Sequence, residues 1–217
     1  MSEKQNQQKK DQRALLTVQS FALLGQGLIG VFFPFFVQRS YGLENWELIV
    51  WFALLQLIMA LLIFPLNYWG VKWFGIRRVL QVGIFFQALF YALLGLGITT
   101  PASFVLLNAS FVLFIALFWP GFNYLSSIAT LNGDRGSYFG SLQIVAVVVN
   151  LVAPILTGFL LEWDQERWVL ALSVFSFLVS LFLVRMIPKT GAVVSPIIPF
   201  FQGFFKVFLP NETSPCL

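Results

Sequence analysis

Between Val79 and Gly133 the chain runs for 55 residues without one Asp, Glu, Lys or Arg. A helix needs ~20 apolar residues to cross the hydrocarbon of a bilayer, and a charge at mid-span is costly. The run is therefore long enough for two crossings and too apolar for a water-facing fold. Further uncharged runs extend over Ala14–Gln38, Leu48–Val71, Gly136–Leu161 and Trp168–Val184. The long run breaks naturally at Ile98-Thr99-Thr100-Pro101, where proline suits a first helical turn and the threonines offer capping oxygens. The last run is short, but Arg185 can snorkel and let its helix continue towards Pro188. The expected fold is an all-α integral membrane protein. Its six transmembrane helices lie at about 14–38, 47–71, 76–98, 101–131, 137–161 and 167–188. The composition, 59% hydrophobic and 10% charged, agrees.

The remaining charges report orientation. Eleven Lys and Arg fall in the N-terminal segment 1–13, the Lys72/Arg77/Arg78 loop, Arg135 and the tail; only Arg39 and Arg167 fall on the other side. By the positive-inside rule both the N and C termini are expected in the cytoplasm, and the acidic loops around Glu44 and Asp164 face out. The tail, 189–217, is broken by prolines. Its phenylalanines recur at helical spacing over 199–209, the pattern of an interfacial helix. The expected location is the cell membrane, plasma or inner, as a multi-pass protein with the lipid bilayer as its first partner.

Several function classes fall away. With no histidine and a single cysteine, Cys216, there is no histidine-based metal site or catalytic triad and no disulfide within the chain. No metal or cofactor is expected. The net charge of +4 sits in short clusters between apolar runs, so no nucleic-acid partner is expected. No nucleophile has a base beside it, so an intramembrane enzyme is the weakest alternative. A non-transporting scaffold or inactive fragment is the stronger one.

The spans also carry an internal pattern. Phe33-Pro34-Phe35-Phe36 near the end of span 1 is echoed by Trp119-Pro120-Gly121-Phe122 in span 4, 86 residues on, and Pro65 of span 2 by Pro154 of span 5, 89 residues on. Three spans is an odd number, so a second copy crosses in the opposite sense. The expectation is a 3+3 inverted repeat, as found within each half of many secondary transporters.

Two segments carry a resemblance. The loop Lys72-Trp73-Phe74-Gly75-Ile76-Arg77-Arg78 resembles the signature loop of the major facilitator superfamily, G-x-x-x-D-R-x-G-x-R-R/K. Gly75, Arg77 and Arg78 match, while Lys72 stands where the aspartate is expected and Tyr68 where the leading glycine is. The segment from Phe118 through Gly133-Asp134-Arg135-Gly136-Ser137-Tyr138-Phe139-Gly140 to Ala153-Pro154-Ile155-Leu156-Thr157-Gly158 is similar to that family's span 4, the opening of its span 5 and its G-P-x-x-G-G motif. Overall the chain resembles one six-span half, the N-terminal one. The resemblance implies transport of a small-molecule solute by alternating access, half-length or truncated here, with a second six-span half supplied by a copy or a separate chain. It assigns gating or loop roles to Gly75, Arg77, Arg78, Asp134, Arg135, Pro154 and Gly158.

No charged residue lies mid-span, so a solute site has to be built from amides. Gln19 and Gln26 are seven apart in span 1, Gln143 and Asn150 seven apart in span 5, and Asn123 follows Trp119 by one turn in span 4. These six residues are the substrate-binding candidates, with Gln26 and Asn123 foremost. Spans 1 and 4 are expected to line the cavity, span 5 to flank it and span 6 to face lipid. Ser173, Ser176 and Ser180 read as a packing stripe. The G-x-G-x-x-G of Gly25–Gly30 reads as helix packing or a bend, not as a nucleotide loop.

Overall fold

A computed structural model describes residues 3–97, 100–130 and 135–187. Every regular element among them is helical: α1 (Glu3–Gly30), α2 (Phe33–Tyr41), α3 (Asn45–Phe74), α4 (Ile76–Leu96), α5 (Pro101–Ala129), α6 (Arg135–Glu162) and α7 (Glu166–Leu183), followed by a 3-10 turn (Val184–Met186). Five helices are long and apolar enough to cross a membrane by themselves, and α1 with α2, taken together as one bent span, would bring the number to six. The tail, with its expected interfacial helix 199–209, and Asp134 lie outside the described residues.

The local chemistry explains the ends. Thr100 accepts from the Ser103 amide and Pro101 opens α5, as the threonine and proline chemistry predicts. Gly75 turns α3 into α4 at φ +77°, a conformation that a side chain disfavours. Glu44 and Glu47 close a reciprocal cap on α3.

Span 1 departs from a single continuous helix over 14–38. Helix α1 starts far earlier, at Glu3, and stops at Gly30; the axis then turns by 57° into α2. Pro34 has no amide hydrogen to continue the α1 ladder, and glycine is a poor helix former, so the break falls between them. After the bend Phe33 lands in an aromatic cluster, 5.5 Å from Phe52, 5.4 Å from Phe90 and 5.9 Å from Phe111 between ring centroids.

The helices form two rows. The front row runs α6, α1, α5, α3 in order of contact; behind it α7 packs on α1, α4 packs on α5, and α4 and α7 pack on each other. Span 6 is accordingly not a mainly lipid-facing helix. Its buried edge, Val169, Ser173, Ser176, Phe177 and Ser180, is wedged between α1 and α4. Ser180 donates to the Val18 carbonyl at 3.0 Å, and a Cβ on Gly25 would come within 2.5 Å of the Phe177 ring. The serines and Gly25 thus let α7 approach α1 closely, in keeping with the small-residue rule for membrane helices.

Candidate functional site

The face of α1 that carries Gln19 and Gln26 begins lower in the helix. Gln8, Gln12, Gln19 and Gln26 recur at i, i+4, i+11 and i+18, on one side of the helix. Gln8 and Gln12 both donate to the Ala129 carbonyl of α5, each at 2.9 Å. The stripe is therefore turned towards α5. Gln19 is buried, and its Oε1 has no hydrogen-bond partner; Gln26 is half-buried.

Two contacts set the antiparallel register of α1–α2 against α5: Gln8 and Gln12 at Ala129, and Phe33 at Phe111. At 1.5 Å per residue, the first contact sets Gln19 level with Pro120 and the second with Leu125, and Gln26 lies roughly 8–15 Å from Asn123 along the helix axis. Gln26 and Asn123 therefore do not share a level. The set at one depth is Gln19, Trp119 and Asn123. Trp119 is half-buried beside Phe118, and Asn123 is exposed.

Helix α6 presents Gln143 and Asn150 outward, both exposed. They belong to a longer strip, Gly136, Gly140, Gln143, Val147, Asn150, Pro154 and Gly158, at alternating spacings of three and four with one final four. A Cβ at Gly136, Gly140 or Gly158 would meet nothing within 4 Å. The other edge of α6 faces α1. There Thr157 donates to the Leu28 carbonyl at 2.5 Å, and Ala153 and Val149 pack over Gly27. The residues that replace two glycines of the family motif thus hold α6 to the last turn of α1, where helix carbonyls lack internal partners.

Helix α3 repeats the outward strip. Ile49, Ala53, Gln56 and Ala60 are exposed and stand 87 residues before Gly136, Gly140, Gln143 and Val147. Sequence reasoning did not single out Gln56; its offset from Gln143 was the signal. It also passed over two buried amides. Asn67 of α3 donates to the Leu117 carbonyl at 3.4 Å, and Gln87 of α4 lies against Tyr91 with its Oε1 unpartnered. Asn108 of span 4 is a packing amide, accepting from the Trp51 indole at 2.7 Å and donating to the Phe104 carbonyl at 2.7 Å.

At the end of the bundle where α3 turns into α4, Arg77 donates to the Arg185 carbonyl at 2.5 Å, Arg78 is exposed, and Lys72 lies 5.9 Å from the Tyr68 ring centroid. Arg135 is exposed and reaches Ser127 at 3.5 Å. At the opposite end Arg39 pairs with Glu166, joining α2 to α7. Among the described residues no group of three or more His, Cys, Asp or Glu could hold a metal.

A profile of the Major Facilitator Superfamily matches residues 15–210. The chain belongs to this superfamily. No curated protein and no solved structure matches it. Superfamily members are transporters and not enzymes, and the apolar helices are those of a multi-pass membrane protein. Gly75 is the turn between α3 and α4, and Arg77 and Arg78 lie in the first turn of α4. The Pro154–Gly158 segment belongs to the helix that borders α1.

Proposed function

We propose that this chain is a six-span transporting half that moves a neutral or zwitterionic small solute by alternating access, working against a second six-span bundle. Both of its ends lie in the cytoplasm of a cell bounded by this plasma or inner membrane. The orientation rests on the eleven-to-two distribution of Lys and Arg. The inverted repeat is supported by the neighbour relations. Exchanging α1 with α5, α3 with α6 and α4 with α7 turns α1–α6 into α5–α3, α1–α7 into α5–α4 and α3–α4 into α6–α7, and each of these pairs is in contact.

The observation that carries the proposal is the pair of matching outward strips on α3 and α6. They lie on the two outer helices of the front row, each with an exposed amide: Gln56 beside Ala53 and Ala60, and Gln143 beside Gly136 and Gly140. Lipid gives no reason to keep an amide outward beside alanines or glycines at equal spacing, whereas a second helix packs closely on such a strip. Between the strips lie α1 and α5 with Gln19, Trp119 and Asn123 at one depth. Amides offer donors and acceptors without fixed charge, which suits a solute of zero net charge.

The test uses single cysteines in a Cys216→Ser background. Residues Gln56→Cys and Gln143→Cys should cross-link to a second six-span bundle in the membrane, whereas Phe175→Cys, exposed on the back row, should not. Cross-linking at Phe175 but at neither glutamine position would overturn the arrangement.

A further inference from the structure

We infer that the back of the bundle holds an anionic phospholipid, bound in a groove between α4 and α7 at the arginine-rich end. The groove, of about 470 Å³, is lined by Gln81, Val82 and Phe85 from α4 and by Leu178, Leu181, Phe182 and Arg185 from α7 and the turn after it. The two walls are built alike. On α4 the lining residues Gln81, Val82 and Phe85 follow Arg78, just outside the lining, at i+3, i+4 and i+7; on α7 and the turn after it Leu178, Leu181, Phe182 and Arg185 keep the same spacing. The helices run in opposite directions, so the cationic position falls at the same end of both walls. From that end to Phe85 the groove reaches about 10 Å into the hydrocarbon, roughly a third of its thickness.

The cation at its mouth is held in place. The Arg185 guanidinium sits 5.5 Å from the Phe182 ring centroid, and the Arg185 carbonyl accepts from Arg77, which fixes the backbone that carries it. Among the described residues no carboxylate pairs with Arg77, Arg78 or Arg185. The opposite end of the same helix pair differs. A pocket of about 330 Å³ there contains Arg39 and Arg167 together with Glu166, and Arg39 is paired with Glu166. The arginine-end groove offers a mainly apolar floor for an acyl chain and an unpaired Arg185 for a phosphate, whereas at the opposite end Arg39 is already paired with Glu166. Basic pockets between membrane helices recognise anionic headgroups in this way. The charge distribution used above for orientation makes this the cytoplasmic leaflet; binding itself does not depend on the transport proposal.

The full chain, purified in mild detergent and stripped of lipid, is titrated with palmitoyl-oleoyl phosphatidylglycerol and with the phosphatidylcholine of the same chains, and retained lipid is counted by native mass spectrometry. Phosphatidylglycerol should bind roughly 25-fold more tightly, the product of a roughly fivefold gain from each of two arginines. Arg185→Gln and Arg78→Gln should each cut that preference roughly fivefold, and Arg167→Gln at the opposite end should leave it unchanged. Inorganic phosphate and glycerol 3-phosphate should not displace the lipid, because neither fills the apolar floor. Equal binding of the two lipids by the wild-type chain would overturn the inference without reliance on any variant. So would a preference untouched by both substitutions, or displacement by inorganic phosphate, which would mark a free-anion site.

Discussion

Gln19 offers the sharpest separation of a solute-binding amide from a structural one. Its side chain is 3% exposed and its Oε1 has no partner. A buried, unsatisfied acceptor costs about 1–3 kcal/mol, and a hydrogen bond between helices in a bilayer returns only ~1 kcal/mol. Methionine is unbranched and similar in length, so Gln19→Met keeps the packing and removes the penalty. The expected net effect is a gain of about 1 kcal/mol, equivalent to roughly 2–4 °C in Tm for a chain of this size. If Gln19 contacts solute, the same substitution removes a hydrogen bond from the bound state and weakens uptake by roughly two- to tenfold. The assay pairs thermal unfolding in detergent with uptake into proteoliposomes, scaled to the amount of folded protein. A variant that is more stable and transports less is the expected outcome. A variant less stable by about 1 kcal/mol, with unchanged transport per folded molecule, would refute the reasoning and make Gln19 a packing residue. Gln87→Met is the control: Gln87 is equally buried with an unpartnered Oε1, but it lies in the back row against Tyr91, so its loss should leave transport intact.

Two further outcomes are expected. In intact cells and a Cys216→Ser background, cysteines at Asn45 and Gln165 should react with an impermeant thiol reagent while one at Lys72 should not; labelling at Lys72 would contradict the orientation drawn from charge. Gly25→Ala should destabilise the chain by about 1–2 kcal/mol, the cost of overpacking less the helix gain of alanine, because the new Cβ meets Phe177 at 2.5 Å and the Ser173 carbonyl at 3.1 Å. Gly30→Ala, with nothing within 4 Å, should not destabilise it. Equal melting temperatures for the two variants would show that α7 does not press on α1 there.

Much of the local architecture was legible in the residues because it follows from local chemistry. Runs free of charge became helices since transfer of a polar group into hydrocarbon is charged to each residue separately. The Gly75 turn and the Thr100-Pro101 start are likewise properties of two or three adjacent residues. The candidate amides could be named from helical spacing, and the smallness of Gly25 and the serines pointed to close packing before any partner was known. The site itself was less legible. Spacing put Gln26 and Asn123 on suitable faces of their own helices, but it carries no information on the relative height of two helices.

The sequence by itself determined the membrane character, the all-helical fold of its charge-free runs, and the family resemblance carried by the Gly75–Arg78 loop and the Pro154–Gly158 segment. Only the tertiary structure decided that span 1 bends by 57° after Gly30, that α7 is wedged between α1 and α4 and does not mainly face lipid, and that Gln19 shares a level with Trp119 and Asn123. The physical reason is that lipid tails are as apolar as leucine. A membrane helix carries no hydrophobic periodicity to say which side meets protein and which meets lipid. That choice is made by shape: a missing Cβ at Gly25 and Gly27, a serine or threonine that can reach a neighbour's carbonyl, and the fit of aromatic rings around Phe33. These become visible only when the helices stand side by side.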